Sequence, residues 1–193
     1  MENGFNIDTP AAPKKKRGQR DLPVKCSMEY AMDNAITMIV DLKDEIEQWK
    51  ESLECAGMDH LDKYGELEEC HSYLEQATYG LEDSGLLEGW KNVAALLPHM
   101  DVPELELTQD TRRCASSRSY RLDNARRFAE AVSDYLTDEF LRDWDDDASR
   151  NFLTEYKDAT EEQEEAVEEL RDQFYEWKNG IAALDDVFFP GMY

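Results

Sequence analysis

The chain has 193 residues, 41% of them apolar and 34% charged, and a formal net charge of -24 at pH 7. That length can bury a real core, and the apolar share excludes a chain disordered throughout. The acidic excess disfavours direct nucleic-acid binding by the whole protein, and no apolar run approaches the roughly 20 residues of a membrane span.

Charge divides the chain into blocks: net +3 over residues 1–25, -17 over 26–111, +5 over 112–127 and -15 over 128–193. The first block holds Pro10, Pro13, Pro23, Gly4 and Gly18 and has little apolar periodicity, so it reads as a flexible basic arm. Lys14, Lys15, Lys16 and Arg17 could contact nucleic acid or an acidic surface, or serve as an import signal in a eukaryotic setting. No apolar stretch follows them, so they do not form a secretory signal, and the expectation is a soluble, intracellular, cytoplasmic protein.

Ser27 is a candidate N-cap. Beyond it Met28, Met32, Ala35, Ile39, Leu42, Ile46, Trp49 and Leu53 alternate steps of four and three, the repeat of a coiled-coil seam, and predict a long helix. Gly57 interrupts the pattern within a short connection, Ala56 to Asp59. A weaker seam through His60, Tyr64, Leu67, His71, Leu74, Thr78 and Leu81 predicts a second helix, so residues 26–97 read as an acidic helical hairpin followed by a short helix, Leu86 to Leu97. Ser84 and Gly85 mark the break before that helix, and Pro98 ends it.

Residues 98–118 read as a linker, with one short extended segment possible around Val102, Leu105 and Leu107. Residues 119–193 read as a second acidic hairpin. Its first helix, about Ser119 to Trp144, presents Leu122, Ala125, Phe128, Ala129, Val132, Tyr135, Leu136, Phe140 and Trp144 on one face. Its second follows Leu153, Tyr156, Thr160, Gln163, Val167, Leu170, Phe174, Trp177, Ile181, Leu184 and Phe188, with Asn179 and Gly180 as a cap or kink. The apolar tail Phe188 to Tyr193 needs a groove on its own body or a partner.

The expected fold class is therefore all-α: two long helical hairpins with coiled-coil-like seams around a short connecting helix, dimeric through seam surface left uncovered. The stretch Leu42 to Asp83 has a Glu-rich first helix ending in Trp49 and Leu53, and a second helix carrying Leu67, Glu68, Glu69, Leu74, Glu75 and Leu81. It resembles the helical hairpins of small, uncharacterised tailed-phage proteins. That resemblance covers about a fifth of the chain and implies a phage-encoded protein acting in the cytoplasm of a bacterial host.

Cys26, Cys55, Cys70 and Cys114 are scattered, which favours free thiols, buried or half-buried, over a disulfide framework. Cys55, His60, Cys70 and His71 could supply a zinc set, but no CxxC occurs. Glu68 and His71 make one Glu-x-x-His, whereas a di-iron bundle needs two. Asp44 with Glu47 and Glu66 with Glu69 resemble the paired acidic residues of all-helical, magnesium-dependent nucleoside triphosphate pyrophosphohydrolases, in which such carboxylates hold cations that organise a polyphosphate. Here the second pair ends in Glu rather than Asp, and those helices lack a Lys or Arg cluster for the phosphates. No phosphate loop or nucleophile elbow occurs. No cofactor is expected.

Glu161, Glu162, Glu164, Glu165, Glu168, Glu169 and Asp172 surround a single cation, Arg171. Twelve helical residues span about 18 Å, or one carboxylate per roughly 2.6 Å, against about 1.7 Å per charge on duplex DNA. A second acidic helix alongside, such as Asp41 to Glu54, would make up the difference. The alternative is a solvated face, since glutamate is a strong helix former. Arg112, Arg113, Arg118, Arg121, Arg126 and Arg127 could meet phosphates, or neutralise the acidic helices of the chain itself.

Three functional expectations follow. The first is a non-enzymatic binding protein whose acidic helix faces engage a basic macromolecule, such as a nucleic-acid-binding host protein, by nucleic-acid mimicry. The second is a scaffold-like assembly protein docking through Phe188, Phe189 and Tyr193. The third is the pyrophosphohydrolase.

Overall fold

The computed structural model of the chain describes residues 21–97, 104–110, 117–140 and 160–191. Among the described residues are five helices and two strands, an all-α bundle with a small β-ribbon.

Strand β1 (Asp21–Ser27) pairs antiparallel with β2 (Glu104–Asp110), in a register running from Asp21 opposite Asp110 to Ser27 opposite Glu104. Side-chain alternation explains the ribbon. Leu105 and Leu107 are buried, and Val24 and Cys26 pack against the same core. The intervening Lys25 and Glu106 face solvent and pair at 2.7 Å. The expected arm is thus corrected over 21–25, while the short extended segment expected around Leu105 and Leu107 is found as β2: each half of the ribbon is too short to stand alone, and their pairing hides backbone groups neither could satisfy by itself.

Helix α1 (Met28–Cys55) starts where the Ser27 hydroxyl accepts from the Tyr30 N–H. Met28, Met32, Ala35, Ile39, Leu42 and Ile46 are fully buried, as the seam requires, while Trp49 and Leu53 are half-buried. Gly57, at φ +67°, ends the helix in a Schellman motif: its N–H donates to the Glu54 carbonyl and that of Met58 to the Leu53 carbonyl. Helix α2 (Asp62–Thr78) buries Leu67, Cys70, Leu74, Ala77 and Thr78, then widens into a π-helical turn, Tyr79–Asp83. His60 is exposed and His71 half-buried, so the α2 stripe runs through Cys70 and Ala77 instead of the expected histidines. Gly85 separates this turn from α3 (Leu86–Leu96).

Helix α4 (Arg118–Tyr135), capped by Ser117, continues into a second π-turn, Leu136–Phe140, and buries the expected Leu122, Ala125, Phe128, Ala129, Val132, Leu136 and Phe140. Trp144, Leu153 and Tyr156 lie outside the described residues. Helix α5 (Glu161–Asp185) begins at Thr160, which forms a capping box with Gln163. Thr160 therefore starts the helix and is not a seam residue, because its hydroxyl satisfies the Gln163 N–H and the Gln163 side chain satisfies its own.

The two expected hairpins do not form separate halves. Helix α4 packs mainly against α1, while α2, its π-turn and α3 line up antiparallel along α5. Lys63 Nζ donates to the Gly191 carbonyl at 2.8 Å, Gly80 meets Gly180, and the Gln163 amide donates to the Leu96 carbonyl at 2.8 Å. The Trp177 indole N–H reaches the Ala129 carbonyl at 3.2 Å and ties α5 to α4. One cluster of buried apolar residues runs through all five helices and β2. Within the single chain Met28, Met32, Ala35, Ile39, Leu42, Ile46, Leu67, Leu74, Val167, Leu170, Phe174 and Trp177 are buried, whereas Trp49 and Leu53 are half-buried and His60 and Phe188 exposed.

Gly180 corrects the expected cap or kink. The helix continues past it to Asp185, and the glycine serves the crossing: a Cβ there would lie 2.9 Å from the carbonyl carbon and 3.0 Å from the Cα of Gly80. Only two residues without side chains allow backbones to approach so closely.

Candidate binding faces

Helix α5 positions the dense carboxylate run. Glu161, Glu162, Glu164, Glu165, Glu168, Glu169 and Asp172 are all exposed, whereas Ala166, Val167, Leu170 and Phe174 are buried. At about 100° per residue the seven carboxylates occupy one arc of about 160°, centred opposite the buried stripe. Glu161, Glu162 and Glu164 also stand in the first turn, where the helix dipole favours negative charge. Within the run Arg171 lies 3.4 Å from the Asp172 carboxylate.

Helix α4 carries the arginines into the molecule. Arg118 Nε donates to Glu45 Oε1 at 2.7 Å, and Arg121 binds the other oxygen of the same carboxylate. Partial burial pushes the Glu45 carboxyl up, but the hydrogen bonds and charges of Arg121 and Arg118 outweigh it and hold the group below the usual glutamate range. The Arg118 guanidinium also lies 4.7 Å from the centroid of the Trp49 ring, as does the Lys63 ammonium. Arg126 donates to the Leu184 carbonyl at 2.6 Å and approaches Asp185 at 3.3 Å, a cation at the helix C-terminus. Three members of the arginine block thus neutralise α1 and the far end of α5. Arg112 and Arg113, like Lys14, Lys15, Lys16 and Arg17, lie outside the described residues.

The second acidic stretch, Asp41 to Glu54, does not lie beside the first. Helix α5 packs on α2, α3 and α4, and α1 packs on α4 and α2, so other helices intervene. The expected doubling of charge density is corrected: the apolar stripe of α1 meets α4, and Glu45 of α1 is drawn to the α4 arginines.

The apolar tail finds a groove on its own body. Val187 and Pro190 are buried, Phe189 packs against the core, and Lys63 holds the Gly191 carbonyl. Phe188 remains 40% exposed, while Tyr193 lies outside the described residues. Of the tail residues, half-buried Phe189 takes the groove on the chain's own body, next to Val187.

Asp44, Glu47, Glu66 and Glu69 are all exposed and do not gather into a group of three able to share a cation. The possible zinc set is likewise dispersed: Cys55 and His60 are exposed, whereas Cys70 is buried. Burial pushes the Cys70 thiol up to about 11. Cys55 departs from the expected burial because it ends α1 beside the exposed turn. Cys114 is outside the described residues. No described helix is long and apolar enough to cross a membrane.

One feature of the α5 surface escapes sequence reasoning. A cleft of about 490 Å³ opens between α2 and α5, lined by Glu75, Gln76, Tyr79 and Gly80 on one side and Glu176, Asn179 and Ala183 on the other. Its only signal in the chain is a pair of glycines 100 residues apart, and only their contact reveals it. No protein-family model, curated protein or solved structure is significantly similar to the chain.

Proposed function

We propose that the chain is a non-enzymatic acidic binding protein that engages a basic, nucleic-acid-binding macromolecule through the carboxylate arc of α5. The observation that carries this reading is the asymmetry of neutralisation. Arg118, Arg121 and Arg126 are turned onto Glu45 and Asp185, while Glu161 to Asp172 stand exposed on one arc. Such a rod of negative charge suits a cleft that accommodates a phosphate backbone, with fast and salt-sensitive association. In keeping with the resemblance to phage hairpins, the partner would be a host protein of the bacterial cytoplasm, and binding would inhibit it.

The test is capture from a bacterial lysate in 50 mM and then 500 mM salt, with duplex DNA as competitor. A nucleic-acid-binding protein retained only at low salt, displaced by DNA and lost when Glu161, Glu165, Glu168 and Asp172 are replaced by Gln, Gln, Gln and Asn supports the proposal. Capture of no basic protein at either salt, or capture indifferent to DNA, defeats it. A second reading is assembly through the tail, favoured by the exposure of Phe188. It requires Phe188→Ser to abolish self-association or partner binding.

A further inference from the structure

We propose that the cleft between α2 and α5 receives a single arginine side chain of the basic partner, an inference that rests on reading the α5 arc as a docking face and names the group that anchors it. The cleft lies on the same strip of surface. On a helix Tyr175, Glu176, Asn179 and Ala183 follow Asp172 at steps of three and four, within the same outward arc as the carboxylates. The rod of charge therefore leads into a cleft of about 490 Å³, ample for one long side chain and within the range of small-molecule sites, about 300–1,000 Å³.

The lining selects the occupant by charge. Two carboxylates, Glu75 and Glu176, line the cleft, and no Lys or Arg does. Neither glutamate has a hydrogen-bond or ion-pair partner among the described residues, whereas Glu45 holds two arginines. Tyr79 stands on the α2 side 63% exposed, and Tyr175 is 49% exposed on α5; exposed tyrosines next to a concavity are typical of interface anchors. Gly80, one of the lining residues, meets Gly180 and keeps the two sides in backbone contact.

Arginine fits this lining better than lysine. Its planar guanidinium pairs bidentately with a carboxylate and stacks on an aromatic face while being weakly hydrated, whereas an ammonium is a hydrated point charge. The molecule already uses the same chemistry internally, where Arg118 binds Glu45 while lying over the ring of Trp49. In the cleft, Glu75 or Glu176 takes the role of Glu45, and Tyr79 that of Trp49.

The experiment is an amide NMR titration of the full chain with N-acetyl-arginine methylamide and with its neutral citrulline counterpart. Expected are saturable shifts at Tyr79, Gly80 and Asn179 with the arginine compound, weakened at least tenfold with citrulline and in the Glu75→Gln/Glu176→Gln variant. Both glutamates are exposed, so that variant keeps the fold, and Tyr79→Ala supplies an independent loss of the stacking surface. Equal responses to arginine and citrulline, no response at the cleft, or shifts that survive the double variant overturn the proposal. The four-residue neutralisation of Glu161, Glu165, Glu168 and Asp172 separates the two readings: it removes partner capture while leaving the cleft titration within twofold. Capture lost in that variant while the wild-type cleft stays silent defeats the arginine site alone.

Discussion

Replacing Gly180 by alanine tests the helix crossing on which both the fold and the cleft depend. The new Cβ would sit 2.9 Å from the Gly80 carbonyl carbon, 3.0 Å from its Cα and 3.0 Å from Leu81 Cγ. Ordinary contact begins at 3.4 Å. The π-turn and α5 must therefore separate by about 0.4–0.5 Å, the shortfall of 3.0 and 2.9 Å from 3.4 Å, a gap that forfeits roughly a quarter of the dispersion between the surfaces it opens. Two of the three obstacles are backbone, so no rotamer change relieves them. Overpacking costs about 1–3 kcal/mol, and the upper end applies here; the helix-propensity gain of Gly→Ala returns about 1 kcal/mol, leaving a net loss of about 2 kcal/mol. In a chain of this length that is a fall in Tm of about 4–8 °C. Gly65→Ala is the matched control. It lies in α2 with nothing within 4 Å of its Cβ position, and it should raise Tm by about 2–4 °C. Thermal and denaturant melts of the two variants should move in opposite directions. A Gly180→Ala protein as stable as wild type would refute the backbone contact.

Two further outcomes follow from the ionisable groups. Because the folded pKa of Glu45 lies below its unfolded value, its contribution to stability is full above the usual glutamate value of 4.5 and is lost as pH falls through the folded pKa. Glu45→Gln should therefore cost about 1 kcal/mol at pH 7, after allowance for solvent screening, and the gap to wild type should close in acid; a pH-independent gap in denaturant melts contradicts the two-arginine pairing. Among the thiols, exposed Cys55 should be alkylated rapidly at pH 8, whereas Cys70, with a pKa of about 11, is ionised to about one part in a thousand and shielded by the core. Peptide mapping that finds the two labelled at equal rates in the folded protein would place Cys70 outside the core.

Much of the individual helices is legible in the residues, because helix formation and capping act over one or two turns. Ser27, Gly57 and Gly85 punctuate the chain where local chemistry demands it, and Met28 through Ile46 name their own buried face. The same locality explains a miss: Thr160 continues a three-four spacing as well as it caps a helix, and spacing cannot tell the two apart. The carboxylate run Glu161 to Asp172 was legible as a face because its own helix puts it on one arc. The cleft was not, since Glu75 and Glu176 are two glutamates among many until α2 and α5 meet.

The residue pattern by itself determined an all-α protein, the inward stripe of each helix and the uneven charge along the chain, all of which depend on neighbours within a few positions. Tertiary structure decided which stripe meets which. Apolar burial is non-directional, so the face of α4 satisfies α1 as readily as α5, and nothing local selects between them. It also brought β1 to β2, Gly80 to Gly180, and Arg118 and Arg121 to Glu45. Contacts between positions so far apart in sequence arise only when the whole core closes, and that closure pairs the half-buried Glu45 with two arginines while the acids of α5 remain in solvent.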